Sequence, residues 1–205
     1  MRMIWVALKQ AGGDFWDEFL LLIIFNAVWL LGSLFLLPWP YLTFGLFYTA
    51  YEVGQGKAIK FRTFFVGPAP VWKQAYLWGV LNALLLFVVW FNIRFYGSFG
   101  TQWSTVLEIL LFAFAIFWVM LQLVALPMYP RLNEPGLKLA LRNGIVAMGQ
   151  FPLATFVLLI LVAVMVVVGT LFPLFAFMGA GSLTAVLANR IVGAIVERAL
   201  KGQAE

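Results

Sequence analysis

Apolar residues run along this chain in long blocks, and the interruptions between them divide it. A helix needs roughly 20 apolar residues to cross the hydrocarbon of a bilayer. Residues 19–37 meet that length and then reach Pro38 and Pro40, which lack amide donors and clash with a preceding turn. The next block, 41–54, "YLTFGLFYTAYEVG", spans only about 21 Å at the helical rise. It reads as a short second crossing, with a re-entrant hairpin as the rival description. A polar and basic turn follows, "QGKAIKFRTFFVGPAPVWK", before long apolar blocks at 71–94 and 103–126. The loop "FYGSFGTQ" between those two is short, which makes them antiparallel neighbours. Beyond "LPMYP", Leu137, Leu141 and Ile145 fall on one helical face while Lys138 and Arg142 fall on another. That pattern predicts a cytoplasmic or interfacial helix over 134–149, with Asn133 and Pro135 as its cap and first turn. Blocks at 151–168 and 172–196 complete six expected crossings. Residues 1–16 read as an interfacial segment, with Arg2, Trp5 and Lys9 reaching headgroups. They do not read as a signal peptide, because Asp14, Asp17 and Glu18 precede the apolar run.

The expected fold class is therefore all-α: one membrane domain over 1–205, a polytopic bundle of about six transmembrane helices with a short second crossing. Composition strengthens that reading. Of 205 residues, 64% are hydrophobic and 10% charged, against roughly 25% charged in soluble domains. No soluble core of this size hides so much apolar side chain.

Charge then sets direction. Arg2, Lys9, Lys57, Lys60, Arg62, Lys73, Arg131, Lys138, Arg142, Arg190, Arg198 and Lys201 fall on one side if six segments cross, and Arg94 alone falls on the other. The positive-inside rule makes the majority side cytoplasmic, with both termini inside. The formal charge of +5 thus points to membrane surfaces and not to nucleic acid. Lys57, Lys60, Arg62, Arg131, Lys138 and Arg142 are the expected docking residues for anionic lipid headgroups or a partner protein.

Cysteine and histidine are both absent, which removes disulfides, thiolate nucleophiles and Cys/His metal sites. No Walker, HExxH or GxSxG motif is present, so the expectation is no cofactor, no metal centre and no enzyme. Chemistry is left to a few polar residues inside apolar blocks. Asn26 and Asn82 either hydrogen-bond between helices or line a substrate path. Glu108 lies about 7.5 Å deeper than Trp103 by helical rise, and Arg94 ends the preceding block on the same side. The two form an ion pair, or Glu108 serves a proton or cation relay, or it simply sits at the outer interface. Gly181, Ala185, Asn189 and Gly193 recur every fourth position, a small-residue packing seam that closes either the bundle or a homo-oligomer. Pro173 and "GAGS" at 179–182 mark a bend or a break just before it. Trp39, Trp72, Trp90 and Trp103 fall near block ends, as an interfacial aromatic belt would.

Several of these landmarks occur together in one known group. "FNAVWLLGSLFLLP", "TFGLFYTAYEVGQGKAIKFRTFF", "VWKQAYLWG" and "LANRIVGAIVERAL" resemble the YesL-like family of small bacterial integral membrane proteins, defined by a domain of unknown function. Asn26 and Trp29 match its polar-aromatic pair, Gly45 to Phe47 its Gly-rich turn, and Lys57 and Phe61 the basic and aromatic positions after it; Tyr48 stands where the family commonly has proline. The resemblance implies a bacterial cytoplasmic membrane protein, accessory or regulatory to carbohydrate uptake, with importer membrane subunits as partners. The intramembrane polar residues leave an alternative, a small transporter or channel.

Overall fold

The computed structural model describes residues 2–201. Met1, part of the expected 1–16 segment, and 202–205, the close of the expected 1–205 domain, lie outside the described residues. The helices α1 (Arg2–Asp17) and α2 (Phe19–Ser33) meet at 89°. They are followed by α3 (Pro38–Gly54), the short α4 (Phe61–Val66), α5 (Trp72–Gly97), α6 (Gln102–Ala125), α7 (Leu137–Gln150) and α8 (Pro152–Leu171). A three-residue helix, α9 (Pro173–Phe175), and a wide π turn, Ala176–Ala180, lead into α10 (Gly181–Lys201).

Four helical runs among the described residues are long and apolar enough to cross a membrane: Phe61–Gly97, Gln102–Arg131, Pro152–Leu171 and Pro173–Lys201. The bent pair α1 and α2 makes a fifth when taken as one span, so the six expected crossings are corrected to four or five. The segment expected at 41–54 accounts for much of the difference. It belongs to α3, whose 17 residues extend about 25 Å, short of the roughly 30 Å hydrocarbon layer. Its apolar side chains serve the protein interior instead of lipid, since Leu42, Phe44, Leu46, Phe47, Ala50 and Val53 are all buried.

Local chemistry explains several boundaries. Pro38 and Pro40 occupy the first turn of α3, where a missing amide costs little, and α2 has already ended at Ser33. The turn between them, Leu34 to Leu37, is wholly apolar and exposed, which suits lipid and not water. Thr101 caps α6: its hydroxyl accepts from the Ser104 amide at 3.2 Å while Ser104 Oγ accepts from the Thr101 amide at 3.1 Å. α7 begins at Leu137, later than the expected 134, because extended Gly136 is its cap and Asn133 and Pro135 stay in the preceding turn.

α10 forms the centre of the bundle, burying Ala185, Val186, Ala188, Ile191, Val192 and Ile195. α1 lies antiparallel along it, held by a bidentate pair from Arg190 to Asp14, with Nη2 to Oδ1 at 2.7 Å. Close backbone approach needs glycine on α5. A Cβ at Gly79 would stand 2.2 Å from Pro40 Cγ of α3. The outer faces of α5, α6 and α8 display Phe87, Phe91, Ile109, Phe112, Val164 and Val166 to the surroundings. A continuous apolar exterior of that kind is stable only against lipid, so the protein is a multi-pass membrane protein.

Candidate functional site

Asn26, expected to serve packing or a path, is fully buried and committed to the π turn before α10. Its Nδ2 donates to the carbonyls of Ala176 and Phe177 at 2.8 and 2.7 Å, and its Oδ1 accepts from the amides of Gly181 and Ser182 at 2.8 and 3.2 Å. All four hydrogen-bonding positions face groups that the π turn leaves without regular helical partners. Gly179 leaves the helical range at φ 160° and ψ 10°, yet Pro173–Lys201 stays one helical run, so the choice left open between bend and break resolves as a kink. Ser182 adds a hydrogen bond from its hydroxyl to the Leu22 carbonyl at 2.7 Å.

The seam on α10 packs within the chain along its whole length. A Cβ at Gly181 would lie 2.8 Å from both Asn26 Oδ1 and Trp29 Cζ3, and Ala185 is fully buried. Asn189 Nδ2 donates to the Phe47 carbonyl on α3 at 3.1 Å, and Gly193 leaves room for the Arg131 guanidinium.

Beside the π turn lies a cleft of ≈ 500 Å³ walled by α2, α3, α5, α6, α8 and the start of α10. Four tryptophans line it: Trp29, Trp39, Trp78 and Trp118. Trp39, expected in the interfacial belt, instead packs on Trp78 with ring centroids 5.3 Å apart. Trp72, Trp90 and Trp103 are exposed. Three indole N–H groups are spent inside the protein: Trp29 donates to Thr43 Oγ1 at 3.0 Å, Trp78 to Gln122 Oε1 at 2.7 Å, and Trp118 to Asn82 Oδ1 at 2.9 Å. Asn82 Nδ2 in turn donates to the Trp78 carbonyl at 2.8 Å. What the cleft offers is aromatic and aliphatic surface, with Leu86, Val119 and Val166 at its exposed margin. None of its lining residues carries a charge. The buried Gln122 Nε2 at its wall has no hydrogen-bond partner among the described residues, a donor group unspent.

No known protein family, characterised protein or solved structure matches the chain. The cleft's chemistry is therefore read from its own residues.

Asn26, Asn82 and Glu108, read from the sequence as packing residues or the lining of a polar path, face separate surroundings. Asn82 lines the cleft, Asn26 is consumed by the π turn, and Glu108 lies at the far end of the α5–α6 hairpin. A Cβ on Gly97 would stand 3.5 Å from the Glu108 carboxylate, so Glu108 covers the last turn of α5. Arg94 and Glu108 do not form the ion pair expected of them; the pairs among the described residues are Asp14 with Arg190 and Glu52 with Lys57. Arg94 is exposed, and its long stem carries the charge outward where headgroups and water solvate it. A double-mutant cycle on Arg94→Gln and Glu108→Gln is accordingly expected to show a coupling energy below about 0.5 kcal/mol by chemical unfolding. A coupling of several times that size would restore the pair.

Of the six expected docking residues, Lys57, Lys60, Arg62, Lys138 and Arg142 are exposed. Glu52 bonds Lys57 at 2.8 Å and, by that hydrogen bond and its charge, holds the ammonium above its ordinary pKa. Arg131 is half-buried and held in place, with Nη1 donating to the Pro127 carbonyl and Asn189 Oδ1 and Nη2 donating to the Asn189 carbonyl. Its guanidinium lies 4.9 Å over the Tyr51 ring. Among the described residues, no group of three or more Asp or Glu side chains converges on a metal-sized site.

Sequence reasoning missed the Asp14–Arg190 pair and the tryptophan cleft. The first had a signal, since an arginine in the middle of an otherwise apolar block, Arg190, demands a counter-ion. The second had none, because periodicity cannot say which tryptophans meet.

Proposed function

We propose that this membrane protein binds an uncharged, lipid-like molecule that enters the tryptophan cleft from the bilayer, and that it serves as an accessory protein and not as a channel. One observation carries the reading: a ≈ 500 Å³ cleft lined by four tryptophans and no charged residue, within the size range of small-molecule sites. A sugar or an ion would need several unspent polar groups to replace its water, whereas here three of the four indoles, Asn82 and Thr43 are already satisfied within the protein. An acyl or isoprenoid chain needs only apolar contact, which the tryptophan and aliphatic side chains of the cleft supply.

The resemblance to the YesL-like family suggests a setting for that role, beside a carbohydrate importer in a bacterial cytoplasmic membrane. The exposed cations at 57–62 and 138–142 would then face the cytoplasm and dock importer subunits or anionic lipid. Co-purification of importer subunits, lost when Lys57, Lys60 and Arg62 are changed to Gln, is the outcome expected of that setting.

The cleft itself is tested with a diazirine-bearing phospholipid. Labelling is expected on Trp118 and Met165 at the cleft walls, and Thr184→Phe, which fills the cleft, is expected to reduce it at least tenfold. Labelling confined to outward residues such as Leu110 and Val167, unchanged in the filled variant, would sink the proposal.

A further inference from the structure

A second cavity, of ≈ 490 Å³, lies between α1 and the second half of α10, independent of the tryptophan cleft. Five cationic residues line it, Arg2, Arg131, Arg190, Arg198 and Lys201, against a single carboxylate, Glu197. Arg190 is already neutralised by Asp14. With Glu197 set against one other cation, three positive charges remain without a partner of opposite sign among the described residues.

Arg131 is the informative member. Its recorded acceptors are all neutral, the Pro127 carbonyl and the Asn189 side chain and carbonyl. Those bonds and the Tyr51 ring fix the guanidinium plane, yet they leave its Nε–H and one Nη2 hydrogen without a recorded acceptor. The backbone is shaped for it, because a Cβ at Gly193 would come within 3.1 Å of Nη2. A rigid, half-buried guanidinium with spare donors, facing a cavity ringed by more cations, is how proteins hold a planar or tetrahedral oxyanion bidentately. Three uncompensated charges suit a dianion better than a carboxylate. The cavity is too large for phosphate alone, so the ligand carries a body beyond the anionic group.

We infer that this cavity is a binding site for a phosphate monoester, with Arg131 as the fixed contact and Arg2, Arg198 and Lys201 closing over the anion. The shared chemistry has two sources, a soluble phosphorylated metabolite or the headgroup of a monoester lipid, and the test separates them. The full-length protein is reconstituted in nanodiscs of phosphatidylcholine alone, titrated with inorganic phosphate and glycerophosphate, and compared with nanodiscs that also contain phosphatidic acid. Thermal unfolding is the readout. A saturable upward shift with glycerophosphate assigns the site to a soluble ligand; a shift only with phosphatidic acid assigns it to a headgroup. In either case Arg131→Gln is expected to weaken binding at least tenfold, while Arg94→Gln, at the other end of the bundle, leaves it unchanged. Should Arg131→Gln fail to fold, the exposed pair Arg198→Gln and Lys201→Gln reads the same loss. No shift with any of the three probes, an equal shift with acetate, or equal binding by the Arg198 and Lys201 variant overturns the assignment.

Discussion

Asn26→Leu is expected to be the most destabilising single polar substitution in the protein. Leucine has the same branched heavy-atom skeleton but strands two carbonyls and two amides of the π turn that the carboxamide now satisfies. Interhelical hydrogen bonds in membranes average roughly 0.6 kcal/mol each, whereas a buried group left unpaired costs about 1–3 kcal/mol. Four groups in a packed interior, with no lipid-exposed route to a new partner, place the loss at about 3 kcal/mol. Unfolding in mixed detergent micelles measures it. Asn82→Leu is the internal comparison, since Asn82 bonds only the Trp78 carbonyl one turn away and the Trp118 indole, and about 1 kcal/mol is expected. If both variants unfolded within 0.5 kcal/mol of each other, roughly the error of such measurements, the π turn would not depend on Asn26.

Gly79→Val carries the second large effect, by a different mechanism. The Cβ would lie 2.2 and 2.7 Å from Pro40 Cγ and Cβ. A proline ring at the start of a buried helix has no rotamer to escape into, so α3 and α5 must separate. Overpacking of this kind costs about 2–3 kcal/mol. Exposed glycines supply the opposite sign: nothing lies within 4 Å of a Cβ on Gly12 or Gly13 in α1. Gly12→Ala is therefore expected to stabilise by about 0.5–1 kcal/mol through helix propensity alone. A destabilised Gly12→Ala together with a neutral Gly79→Val would reverse the packing described for both helices.

The long apolar helices were legible because their lengths are set by the bilayer. The blocks expected at 71–94, 103–126 and 151–168 appear as α5, α6 and α8 with ends shifted by one to three residues. The segment 41–54 was read as a crossing because its residues are apolar, yet an apolar residue facing lipid and one facing a protein core look alike in sequence. Charge asymmetry favours keeping Lys9 and Lys57 at one end, but a hairpin that crosses twice and one that enters and returns both do so, whereas α2 crossing alone would part them; the positive residues report parity and not depth.

The candidate sites divide along the same line. Asn26 stood out as a polar residue needing a partner, but its partners are 150 to 156 residues away, at a kink that the local sequence marks only with Pro173 and small residues. Arg94 and Glu108 looked paired because they are close in sequence across a hairpin. The exposed end of α5 offers Arg94 solvent instead, which local spacing does not reveal. Arg131 reads as a surface cation in the sequence, and only the approach of Asn189 and Gly193 from α10 shows that it is half-buried and fixed at the wall of a cavity.

The tie between α1 and α10 bears on how the chain is made. Asp14 waits for a counter-charge 176 residues downstream, so during synthesis the early helices stand in the translocation machinery with an acidic group and a carboxamide still unanswered. Closure of the bundle falls to the last helix to emerge. Nascent chains halted before Ala176 would keep both groups unanswered, so unfinished molecules differ from complete ones in the unpaired polar groups they carry.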